Sequence, residues 1–77
     1  MSKWETKFAV SRKYKERYWR LKLANRTGFV RQQQRNGRWV WWVSNGYGKK
    51  LHTGAGKRTE CMEQAEAICR ALDALEQ

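Results

Sequence analysis

Arg31, Gln33 and Arg35 alternate along one short stretch, and Arg38, Val40 and Trp42 along the next, with Asn36-Gly37 between them. These residue types suit a polyanion that also carries hydrogen-bonding edges. A guanidinium neutralises a phosphate and releases its counterion. It can also fork onto O6 and N7 of guanine, as a Gln amide does onto the edge of adenine. Strand geometry would bring them together, because successive residues point to opposite faces. Asn-Gly between two such runs is the strongest short hairpin signal, both central residues taking positive φ. Counting outward pairs Arg35 with Arg38, Gln33 with Val40 and Arg31 with Trp42 on one face. The other face holds Gln34 with Trp39, Gln32 with Trp41 and Val30 with Val43, and reads as core.

A second hairpin supports that assignment. Tyr18 to Ala24 alternates, with Trp19, Leu21 and Leu23 on one side and Tyr18, Arg20 and Lys22 on the other. Asn25-Arg26-Thr27-Gly28 has turn chemistry. A four-residue loop there pairs Ala24 with Phe29, Leu23 with Val30, Leu21 with Gln32 and Trp19 with Gln34. Both counts place the apolar residues on one side. After Asn45-Gly46-Tyr47-Gly48 a short strand, Lys49 to Thr53, follows. A loop of even length would put Leu51 beside Trp42 on the basic face; the favoured loop of odd length, with a Gly bulge, sends Lys50 and His52 to the basic face and Leu51 to the core.

The formal charge of +10 is unevenly spread. Residues 1–58 carry 16 basic and 2 acidic side chains, a balance of +14; residues 59–77 carry 1 and 5, a balance of −4. A basic body joined to an acidic segment points to a polyanionic partner for the former alone.

The remaining segments frame this body. Residues 1–17 form an N-terminal strand, alternating at Trp4, Thr6, Phe8 and Val10, and a basic loop from Ser11 to Arg17. Residues 18–53 form the meander and 59–75 a helix. Thr59 is the expected N-cap, with Glu60 and Glu63 at the positive end of the dipole. Cys61, Ala65, Ile68, Leu72 and Leu75 form the apolar stripe, widened by Met62 and Cys69. Two cysteines eight residues apart on a helix lie about 12 Å from each other, too far for a disulfide, so buried reduced thiols are expected. The sequence predicts one small α+β domain over residues 1–77, an antiparallel β-meander of three to five strands packed on one C-terminal α-helix.

Catalytic patterns are missing from the sequence. Gly54-Ala-Gly-Lys-Arg-Thr59 lacks a glycine at Leu51 and a hydroxyl at Arg58, so it is no nucleotide-hydrolysing loop. Lys57 and Arg58 remain candidates for phosphate contact at a helix start. His52 stands without a carboxylate or Cys partner, no metal-ligand spacing occurs, and no cofactor is implied. The expectation is a non-enzymatic, cytoplasmic nucleic-acid-binding module that favours duplex DNA and no membrane. Its candidate contacts are Arg20, Lys22, Arg31, Gln33, Arg35, Arg38, Trp42, Lys50, Lys57 and Arg58. Trp42 has an alternative, a second small core beneath the N-terminal strand, which would shrink the basic surface to loops and edges.

Gly28-Phe-Val-Arg, Asn36-Gly-Arg-Trp-Val-Trp-Trp-Val, Gly48-Lys-Lys-Leu and then Thr59 leading into an Ala-rich helix resemble one known arrangement over residues 28–75. The segment is similar to the arm-type DNA-binding domain of tyrosine integrases and to the ethylene-response-factor domain. The resemblance implies a three-stranded sheet in the major groove, backed by the helix. It implies contacts from Arg31, Gln33, Arg35, Arg38, Val40, Trp42 and Lys50. A second class also fits the size, charge and Trp content: a small phage-type inhibitor that binds a host protein, a nuclease or a nucleoprotein such as a CRISPR effector.

Overall fold

A computed structural model of the chain describes residues 4–10, 12–13, 15–33 and 36–75. Five strands, β1 (Glu5–Val10), β2 (Lys15–Lys22), β3 (Arg26–Gln32), β4 (Trp39–Asn45) and β5 (Lys50–Gly56), precede one helix, α1 (Arg58–Leu75). The strands lie side by side in sequence order, every neighbouring pair antiparallel. The α+β meander with one C-terminal helix is therefore the fold, and α1 packs on β3, β4 and β5.

Several boundaries differ from the sequence reading, each for a local reason. Lys15 to Arg17 belong to β2 and not to a loop, because they pair with Val10 to Phe8. The turn before β3 is shorter than expected. Leu23 donates its N–H to the Arg26 carbonyl (2.8 Å), so only Leu23, Ala24 and Asn25 separate the strands. Trp19, not Leu23, then faces Val30, a slip of four. In the next hairpin Gln33 N–H donates to the Arg38 carbonyl (2.7 Å) and Gly37 N–H to the Gln33 carbonyl (2.9 Å). Arg31 consequently pairs with Val40, two residues from the expected register. Gly37 alone takes positive φ (71°) in that turn among the described residues, so it is not the two-residue type expected. Gln34 and Arg35, which that count also paired, lie outside the described residues.

Because both slips are even, neither moves a residue across the sheet. Trp19, Leu21, Val30, Trp41 and Val43 are buried on the helix side. Gly28 lies among them, and a Cβ there would sit 3.7 Å from the Cys69 Cβ and 3.8 Å from the Ala65 carbonyl oxygen. That leaves room for little more than a methyl group, so the helix rests almost directly on the strand. The buried helix stripe is accordingly Cys61, Ala65, Cys69 and Asp73. Ile68 and Leu72 are half-buried beside it, and Leu75 is 80% exposed, beyond the sheet's cover. Asp73 is buried because its Oδ1 accepts the Asn25 backbone N–H (2.7 Å), tying the helix end to the β2–β3 turn. Lys57, not Thr59, stands at the N-cap. Glu60, three residues on, accepts its N–H at 3.5 Å, the returning half of a capping box.

Both cysteines are free and buried. Burial raises the Cys61 thiol above its ordinary 9.0, with the neighbouring Glu60 charge adding to it. Burial, then the Asp73 charge, pushes Cys69 up to about 11. Since folding raises this pKa, the unfolded chain releases the proton first, and stability falls as pH rises from about 9 towards about 11. Urea midpoints measured across that range should drop less in Cys69→Ala than in wild type.

Gly54 carries a second close approach. A Cβ at this position would lie 2.5 Å from Nε1 of Trp41, whose ring covers the glycine while Nε1 donates to Gln64 Oε1 (3.0 Å). Gly54→Ala should displace the indole and destabilise the fold by about 1–3 kcal/mol. Gly46→Ala, with nothing within 4 Å, should stay within about 0.5 kcal/mol of wild type in the same urea titration.

Candidate nucleic-acid interface

The face of the sheet opposite α1 is assembled by register. Arg20 pairs with Phe29 and Phe29 with Trp42; Tyr18 pairs with Arg31 and Arg31 with Val40. β1 decides whether this surface is open. It pairs edge to edge with β2, setting Glu5 against Arg20 and Lys7 against Tyr18. The N-terminal strand thus widens the sheet instead of lying over it, and no second core covers Trp42 among the described residues.

An aromatic row runs across the middle of this open face. Phe29 and Trp42 stack at 5.1 Å with 14° between their planes, and Tyr18 lies 6.2 Å from Phe29. Cations shield the row's edge. Lys50 Nζ sits 4.9 Å from the Trp42 ring centroid, and the Arg31 guanidinium 5.9 Å. Such contacts hold a charge over a ring quadrupole without removing it from solvent.

Two carboxylates set the electrostatics. Glu16 Oε2 takes Arg31 Nη1 at 3.4 Å, and Glu5 lies 3.4 Å from Lys7 and 3.5 Å from Arg20. Lys7 first, then Arg20, holds the Glu5 carboxyl below its ordinary 4.5. Against these two stand Lys7, Arg20, Lys22, Arg31, Arg38 and Lys50, a cationic excess among the described residues of the face.

Most expected contact residues meet here. Arg20, Lys22, Arg31, Gln33, Arg38 and Trp42 share the open face, and Arg35 lies outside the described residues. Lys50 reaches the face because a bulge between Val43 and Ser44 sets it opposite Ser44. The same bulge reverses two expectations. His52 pairs with Val43 on the helix side, and Leu51 is 37% exposed and not in the core. Lys57 is exposed at the β5–α1 junction. Arg58 is on the other side altogether, packed 4.7 Å over Trp19, whose ring Arg17 also covers at 4.7 Å.

Phe29 and Lys7 were missed. Alternation backward from Arg31 reaches Phe29 directly, but a turn placed at residues 25–28 made it look like a strand end. For Lys7 no turn could be counted, since the 11–17 stretch carries no Gly or Asn to mark one.

Among the described residues, no three His, Cys, Asp or Glu side chains gather as metal ligands, and no helix is long and apolar enough to cross a membrane. No family model, curated protein or solved structure matches this chain.

The charge arrangement is open to direct measurement. In NMR titrations Glu5 should protonate below the ordinary carboxylate range, and Lys7→Gln should move it upward, because Lys7 is the largest cause of the shift.

Proposed function

We propose that this protein is a nucleic-acid-binding module that engages duplex DNA, mainly through phosphates, with the open face of its sheet. The observation that carries this reading is the edge-on pairing of β1, which among the described residues leaves six cations against two carboxylates on an open surface. Five strands spaced about 4.8 Å apart make a face about 19 Å across. The major groove is only about 12 Å wide, so the sheet straddles it. Lys7 and Lys50, on the outer strands, then approach the two phosphate rails, while Arg31 on the central strand faces the groove. Contacts of this kind position a protein more than they read sequence.

The free, buried thiols support a reducing, cytoplasmic setting. The aromatic row favours a second reading, because an apolar centre with a charged rim is also the anatomy of a protein interface. In that reading the chain is a small inhibitor covering an acidic surface on a host nuclease or nucleoprotein.

Binding to random duplex DNA, duplex RNA and single strands across a salt series separates these readings. For duplex DNA, log K should fall linearly with log salt, by about 0.9 per phosphate contacted. The double variant Lys7→Ala/Lys50→Ala should bind more weakly and lose roughly two units of slope, about one per lysine. A wild type that binds no nucleic acid, or a double variant that behaves like it, would sink the DNA reading and point to a protein partner.

A further inference from the structure

The open face ends in a cleft. At the end of the sheet away from the Asn36-Gly37 turn, the β2–β3 and β4–β5 turns flank a hollow of ≈ 390 Å³. Its lining includes Arg20 and Lys22, the hydroxyl-bearing Thr27 and Ser44, and Phe29, with Arg26 at the turn. Among the described residues no carboxylate lines it. Register accounts for the grouping: Lys22 opposes Thr27, Thr27 opposes Ser44, and Arg20 opposes Phe29, all on the open side. Glu5 bridges Arg20 (3.5 Å) from outside the cleft wall. Lys22 is exposed and makes no ion pair among the described residues.

Phosphates held along a flat face need no cleft, whereas this hollow lies within the range of small-molecule sites, about 300–1,000 Å³. It sets cations beside an aromatic ring and hydroxyls. A nucleotide brings the complementary groups: a phosphate, a ring face and a hydrogen-bonding edge. Inside a duplex the ring is stacked and the edge paired, so only an unpaired nucleotide presents all three at once. We infer that the cleft takes one unpaired nucleotide, its phosphate between Arg20 and Lys22 and its ring against Phe29. The substrate class is then a duplex that ends in, or is interrupted by, unpaired residues. This rests on the sheet face binding duplex nucleic acid, and it adds what that face prefers.

The test compares three labelled DNAs by fluorescence anisotropy: a blunt duplex, the same duplex with a short single-stranded overhang, and a blunt duplex lengthened to match the phosphates. The overhang should bind at least about five-fold more tightly than either blunt duplex, a small part of what specific and non-specific sites can differ by. Phe29→Leu should weaken the overhang more than the blunt duplexes and so abolish the preference. Lys22→Ala, at an exposed position that folding tolerates, should weaken the overhang more than the blunt duplexes. Equal binding of overhang and lengthened duplex, or a preference that survives both substitutions, overturns the cleft and leaves the sheet-face reading standing. Failure of all three DNAs to bind overturns the sheet-face reading, and the cleft with it.

Discussion

Everything in this fold depends on how closely one helix can lie on the sheet. Gly28 in the central strand and Ala65 and Cys69 on the helix are small residues, and together they let α1 settle against the strand with little between them. A larger residue at Gly28 would lift the helix and open the contacts of Trp41, Val43 and Cys61 below it. Dispersion and burial both decay steeply with such a gap. The indole of Trp41 repeats the device at Gly54, where the absent side chain leaves space for the ring. A chain of 77 residues can bury only a modest core, and close approach raises what that core contributes per residue.

One helix covers one side of a sheet. The other side must face water, and its aromatic row would be a liability if left bare. Lys50 and Arg31 over Trp42, and the stacking of Trp42 on Phe29, keep that row apolar beneath and charged above. The same placement leaves the cations in solvent. A covered apolar row and an exposed cationic surface thus come from one arrangement. The acidic side chains of α1 lie across the sheet from this surface, apart from Asp73, which is buried in a structural hydrogen bond.

The two-sidedness was legible in the residues because the strand period is two. Both hairpin counts misjudged the register, by two and by four, yet placed Trp19, Leu21, Val30, Trp41 and Val43 on the correct side. An error of one would have reversed the reading. That is what happened to His52 past the Asn45–Gly48 turn, where a bulge shifts the count and leaves Leu51 unpaired and out of the core. Arg58 lies away from the open face for another reason. Its place at a helix start suggested a phosphate contact, and two flat indoles nearby on the helix side offer the guanidinium a stacking surface.

By itself the amino-acid sequence determined the class of fold, the apolar and basic faces, the helix and the free thiols. These follow from periodicity, local turn chemistry and composition, which act over a few residues. Tertiary structure decided whether the N-terminal strand covers or extends the sheet, where the bulge falls, and which helix residues are buried at its centre. It also decided that Arg20, Lys22, Thr27, Ser44 and Phe29 converge on one cleft. Those outcomes depend on pairing between residues far apart in the chain, where hydrogen-bond register and the closeness of helix to strand prevail over any local preference.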